Sequence, residues 1–244
     1  MAKKKVIGIL GGMGPAASAA FYHQIISICQ QKYHAIQDTD YPEMIMYSMA
    51  LDGFTEEGID NEKKVLHQLL KGIHLLENAG CDFIVIPCNT VHYFITQMRS
   101  NIQIPIVSII EETTKILTLN GITSIGLLCS KTTADKNVYS PLEKKDIVVH
   151  KITSEVEQKN ITNLIEEVMK GKINQNTKKA VIQSAQNFKD VQAIVLGCTE
   201  LPLAITQKDI NLPLYDSLHI LAHAAVNHAF DHHNLLKHPS KFIT

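Results

Sequence analysis

The chain has 244 residues, 45% of them hydrophobic and 19% charged, enough to fill either one large core or two of about 120 residues each. Lys plus Arg (23) and Asp plus Glu (24) nearly cancel to a net charge of -1, so no global field draws in a nucleic-acid backbone or an anionic membrane. The five cysteines are odd in number, scattered and not closely paired, which fits a reduced cytoplasmic protein better than a disulfide scaffold.

At the start, Lys3 to Lys5, the apolar Val6 to Leu10 and the small-residue run Ala16 to Ala20 mimic an export signal. Gly11, Gly12 and Gly14 interrupt the apolar segment early, short of the roughly 7 to 15 residues such a signal needs. No stretch approaches the roughly 18 to 20 apolar residues of a membrane span, and the expectation is a soluble cytoplasmic protein.

Short Val- and Ile-rich runs then alternate with longer segments of helical period. Val6 to Leu10 reads as a strand, with a helix from about Pro15 to Gln31. Glu43 to Ser48 is a second strand before a helix over Asn61 to Ala79, and Phe83 to Pro87 is a third. A helix over Val91 to Ser100, the strand Ile106 to Ser108 and a helix over Glu111 to Leu119 follow. The next segments are the strand Ser124 to Leu128, a helix around Thr133 to Tyr139, the strand Ile147 to Lys151 and a helix from about Gln158 to Met169. A helix over Lys178 to Phe188, the strands Ala193 to Leu196 and Leu214 to Tyr215, and a helix from Leu218 to about Phe230 complete the pattern. Runs this apolar predict parallel sheets covered on both faces, hence an α/β fold.

The sequence also repeats itself. Ile84-Val85-Ile86-Pro87-Cys88-Asn89-Thr90 aligns with Ile194-Val195-Leu196-Gly197-Cys198-Thr199-Glu200, and Ile95-Thr96-Gln97 with Ile205-Thr206-Gln207 at the same offset. Val6-Ile7-Gly8-Ile9-Leu10 mirrors Ser124-Ile125-Gly126-Leu127-Leu128. The expectation is two pseudo-symmetric α/β domains with a cleft between them: residues 1–107 plus 215–244, carrying Cys88, and residues 108–214, carrying Cys198.

Ligands of open parallel sheets sit at the carboxyl ends of the strands, where turns expose N–H groups. Cys88 and Cys198 both stand there. If the halves face each other, two sulfurs approach one cleft from opposite sides. Inverting a carbon that bears an acidic hydrogen needs a base on one face and an acid on the other, and a thiolate opposite a thiol supplies both. A free thiol titrates near about 8.5, and a helix N-terminus would lower it toward neutrality. A lone Cys ending an apolar run is more often an inert core residue; here the pairing and the polar turns Asn89-Thr90 and Thr199-Glu200 argue otherwise. Cys29, Cys81 and Cys129 lack that setting and read as structural.

The blocks Gly11-Gly12-Met13-Gly14-Pro15, Pro87-Cys88-Asn89-Thr90 with His92, and Gly197-Cys198-Thr199-Glu200 together resemble the signatures of the aspartate/glutamate racemase family, in order and over the chain to about Phe230. The resemblance implies that the two pseudo-symmetric domains are Rossmann-like, with parallel-type sheets, and that the chain is a cofactor-independent, homodimeric amino-acid racemase with Cys88 and Cys198 as the acid/base pair. By the same resemblance Asn89, Thr90 and Thr199 hold the substrate's α-carboxylate and amino group, and Lys159 in Glu157-Gln158-Lys159 helps hold a substrate carboxylate. For a lone Lys opening a helix, a solvated side chain is the simpler reading. Met13, at the lip of the glycine turn, and Glu200 complete the expected substrate contacts. The loop after the second strand, Met49 to Thr55, departs from the family pattern: it has no Arg for a distal carboxylate, and the only Arg in the chain is Arg99. A broader or different amino-acid substrate is therefore open.

Other signals are weaker. Gly8, Gly11, Gly12 and Gly14 lack the G-x-G-x-x-G spacing of a dinucleotide site. His219 and His223, and His228 and His232, are spaced to share helix faces but have no companion carboxylate, so no metal is expected. Glu143 to Asp146 and Glu56 to Lys64 read as solvated faces or a flap. The competing readings are a decarboxylase, hydantoin racemase or cis-trans isomerase of the same fold, and a silent amino-acid-binding regulator.

Overall fold

Successive residues of a strand point to opposite faces, and here each sheet divides its apolar side chains between two cores on that rule. In a computed structural model describing residues 4–231, Ile7 and Ile9 face one core and Leu10 another, as Phe83 and Val85 oppose Ile84 and Ile86. The second sheet repeats this, with Ile125, Leu127, Ala193 and Val195 opposing Leu128, Ile194 and Leu196.

The elements run β1 (Ile7–Gly11), α1 (Pro15–Tyr33), β2 (Met44–Ser48), α2 (Glu62–Asn78), β3 (Phe83–Val85), α3 (Ile95–Arg99), β4 (Ile106–Val107) and α4 (Ile109–Leu119). They continue with β5 (Ser124–Leu128), α5 (Lys131–Asp135), β6 (Val148–Lys151), α6 (Glu155–Met169), α7 (Gln175–Asn187), β7 (Ala193–Leu196), β8 (Leu214–Asp216) and α8 (Ser217–Ala229). The two parallel sheets have orders β2-β1-β3-β4 and β6-β5-β7-β8. The sequence repeat is thus a repeat of topology, and the chain is the two-sheet α/β protein its alternation implied.

One core is common to both halves: it takes the inner faces of both sheets together with residues of α1, α4 and α8. Helix α8 packs on α1 of the first half and on α4. β8 stays in the second sheet through Asp216, so a boundary at 214 would cut that strand. Polar side chains start the helices by accepting from free N–H groups of the first turn: Asn61 for α2, Ser108 for α4, Ser130 for α5, Ser154 for α6 and Asp216 for α8.

Two helices differ from their sequence expectation. Val91 to Ser100 is not one α-helix but a 3-10 turn, Thr90–Phe94, followed by the short α3. Thr90, Val91, His92 and Phe94 are all buried, more inward side chains than a one-faced α-helix supplies. Thr133 to Tyr139 is also broken, because Ser130 starts α5 earlier and Asn137 turns into the left-handed region at φ 48°.

Candidate active site

The turn after β1 needs its glycines. Gly12 has φ +94°, and a Cβ there would lie 2.2 Å from the Met49 carbonyl oxygen. A Cβ on Gly14 would come within 2.9 Å of Glu200 Oε1. That approach lets the Gly14 N–H donate to Glu200 Oε1 at 3.0 Å, from the first half to the second. Ser18 secures the turn, its hydroxyl accepting from Gly12 N and donating to Gly14 O.

Cys88 lies just past β3. His92, buried beside it, accepts from Ile109 N–H through Nε2 at 3.3 Å, so its proton is on Nδ1, which donates to Cys88 O at 2.8 Å. Burial drives His92 down to about 4, and the neutral ring ties the Cys88 turn to the start of α4. Asn89 accepts from Tyr139 OH at 2.8 Å and donates to Ser217 Oγ at 3.1 Å, and Ser217 donates to Leu196 O at 2.7 Å. Thr90 Oγ1 lies 2.7 Å from Thr133 Oγ1 and 3.4 Å from Ser130 Oγ. The side chains after Cys88 therefore reach across to the second half.

Cys198 lies just past β7, at the equivalent place. Its thiol donates to Glu200 Oε2 at 3.2 Å, and Thr199 Oγ1 donates to the same oxygen at 3.1 Å. Glu200 is only 2% exposed. Both carboxylate oxygens are thus engaged, with Cys198 and Thr199 on one and Gly14 on the other.

The expectation of thiols lowered toward neutrality is corrected by the structure. Burial pushes the Cys88 thiol up, with the charges of Glu200 and Glu56 adding to it, against the pull of the Val91 and Thr90 N–H groups. Burial, then Glu200 and Glu56, likewise raises Cys198. Neither Cys begins an α-helix; each is followed by a 3-10 turn, whose few aligned peptides provide too little field to offset desolvation. Both thiols feel the same two carboxylates.

Glu56 belongs to the loop after β2, which crosses to the second half. Thr132 N–H donates to Glu56 O at 3.2 Å and Thr132 Oγ1 to Thr55 O at 3.0 Å, while Lys136 pairs with Glu62. Burial, followed by the charge of Glu200, pushes the Glu56 carboxyl up to about 7, opposed by a hydrogen bond with Ser130. Beneath the loop is a cavity of 260 Å³ lined by Gly12, Met13 and Gly14, by loop residues including Phe54 and Glu56, and by Glu166 and Met169 of α6. A 590 Å³ groove shares Glu57 and Glu166 with it and holds Lys159, whose side chain is exposed.

The structure thus puts Met13, Asn89, Thr90, Thr199, Glu200 and the two cysteines at the carboxyl ends of the strands, where hydrogen bonds join the two halves, and leaves Lys159 in the groove beside the cavity. Sequence reasoning read Glu56 as part of a solvated face or flap, whereas it is partly covered, and it did not single out Ser130, Thr133, Tyr139 or Ser217. For Ser130 there was a usable signal: the β1–β5 repeat puts it where Gly12 stands in the first half. Arg99 is committed to Glu111 at 2.6 and 2.7 Å and to Ile106 O. The His219 and His223 rings pack edge to face at 4.6 Å; His232 lies outside the described residues, among which no group of three or more His, Cys, Asp or Glu is placed to hold a metal. Cys29, Cys81 and Cys129 are buried and free. No helix among the described residues is long and apolar enough to cross a membrane.

Known proteins share this fold. The chain is 28% identical over 227 residues to the broad specificity amino-acid racemase RacX of Bacillus subtilis (strain 168), covering 91% of this chain and 97% of that one. Its fold superposes with a TM-score of 0.77 on an aspartate racemase homologue from Pyrococcus horikoshii OT3, at 27% identity over 93% of this chain and 99% of the other. For the aspartate racemase of Picrophilus torridus the TM-score is 0.75 and the identity 26%, over 93% and 94% of the chains. The family model described as Asp/Glu/Hydantoin racemase matches residues 10–225, and the chain belongs to that family.

Proposed function

We propose that the protein is an amino-acid racemase that inverts its substrate between Cys88 and Cys198 without a cofactor. The observation that carries this reading is the equivalent placement of the two cysteines, each past the central strand of a parallel sheet in a repeated topology. Broad specificity in a relative that spans nearly the same length supports a substrate class wider than aspartate.

Burial keeps both sulfurs protonated before substrate arrives. Glu200 Oε2 accepts the Cys198 proton, and the substrate's α-ammonium offsets the resulting charge. The Cys198 thiolate removes the α-hydrogen as a proton, and the electron pair left on the α-carbon delocalises into the α-carboxylate. Cys88 donates its proton to the opposite face, aided by the Thr90 and Val91 N–H groups that favour its thiolate. Preoriented N–H donors cost no reorganisation as charge moves. The exposed ammonium of Lys159 draws the substrate carboxylate into the groove. After product leaves, exchange with water returns a proton to the Cys88 thiolate and removes the one held by Glu200; the reverse reaction exchanges the roles of the two sulfurs.

A panel of L-amino acids followed by chiral chromatography tests the proposal. The expected result is interconversion by the wild type and its loss in Cys88→Ala and in Cys198→Ala; binding of amino acids with no inversion of any of them would identify a silent binding protein instead.

A further inference from the structure

The cavity beneath the loop after β2 has walls of two kinds. Met13, Leu51, Phe54 and Met169 give it an apolar side, whereas Glu56, Glu57 and Glu166 line it with carboxylates, and none of its lining residues is Lys, Arg or His. Glu166 is already paired with Lys170 at 2.7 Å. Glu56 makes no ion pair with a cation among the described residues, although it is partly covered and lies where the loop is fastened to the second half through Thr132. A carboxylate withdrawn from water is costly unless a positive charge meets it, and the described residues supply none.

Resting on the racemase reading, we propose that this cavity receives the substrate's side chain and that Glu56 selects a cationic one, so that the preferred class is an amino acid with an aliphatic stem ending in an ammonium or guanidinium group. The apolar wall suits the methylenes of such a stem, which long basic side chains bury while keeping the charged end on polar partners. An acidic side chain would bring its own charge against Glu56, with Glu200 close behind it. Lys159 does not reverse this balance, because it belongs to the adjoining groove and not to the cavity lining.

The test compares L-lysine, L-norleucine and L-glutamate as substrates of the wild type, Glu56→Gln and Glu56→Lys, with binding of the same three followed by calorimetry. Lysine should exceed norleucine in kcat/KM by about tenfold or more, the scale of a hydrogen bond to a charged group. That ratio should collapse in Glu56→Gln, and the preference should move toward glutamate in Glu56→Lys. A wild type that favours glutamate, or a lysine-to-norleucine ratio unchanged by Glu56→Gln, overturns the assignment. If no amino acid is inverted by any form, the racemase reading fails, and calorimetry still decides this proposal: tighter lysine binding that depends on Glu56 supports it, and equal or weaker lysine binding refutes it.

Discussion

Cys198 and Glu200 form a donor and acceptor pair across 3.2 Å, and the acceptor is itself fixed by a Gly14 N–H from the other half of the molecule. A thiol raised by burial needs such a neighbour to give up its proton, so the carboxylate should matter more to turnover than to substrate binding. In Glu200→Gln the amide oxygen can still accept from Gly14 N–H, but the proton acceptor is lost. The expected result is a fall in kcat of about 10²- to 10⁴-fold with a much smaller change in KM, read from initial rates in both directions.

Tyr139 donates to Asn89 Oδ1 at 2.8 Å, and both side chains are buried. Tyr139→Phe leaves that oxygen without its donor, so stability should drop by about 1 to 3 kcal/mol. Urea unfolding measures the change. Activity should fall with it, because Asn89, together with Thr90, ties the Cys88 turn to the second half.

Glu56 gives a pH dependence of known sign. Its carboxyl rises from its ordinary 4.5 to about 7, through burial first and then the charge of Glu200, with Glu166 and Glu57 adding and Ser130 opposing. A carboxyl raised on folding contributes stability that is fully present below 4.5 and lost as pH climbs through about 7. His92, lowered to about 4, acts oppositely: its contribution is present above about 6.5 and lost on acidification. The informative quantity is therefore the difference between Glu56→Gln and the wild type, and the variant should gain in relative stability as pH rises from 4.5 to 8. Urea midpoints at several pH values test this.

How much of this the sequence disclosed follows from which forces are local. Strand positions, sheet class and the equivalence of the two cysteine turns come from period-2 apolar patterning and a direct repeat, both properties of consecutive residues. The glycine turn was equally legible, because only Gly tolerates the backbone at position 12. The engagement of Glu200 with Gly14 and the crossing of Glu56 to Thr132 join residues far apart in the chain, and nothing in their own neighbourhoods marks them. The thiol chemistry was misjudged for a related reason. Position at a strand end suggested a helix-lowered pKa, but burial dominates at both thiols, with Glu200 and Glu56 adding to it, and of these only Glu200 is a sequence neighbour, of Cys198. Tyr139 was hidden differently, since Asn137 breaks the helical pattern just before it.

The central claim is that two sulfurs flank one α-carbon, and the most direct measurement is the fate of the α-hydrogen in deuterium oxide. With a substrate identified from the amino-acid panel, the product enantiomer should carry solvent deuterium at the α-position from the first turnover, while the remaining substrate enantiomer acquires it more slowly. Cys88→Ala and Cys198→Ala should each stop the inversion. Product that keeps the original protium, or inversion that survives at a wild-type rate in either variant, would contradict the account.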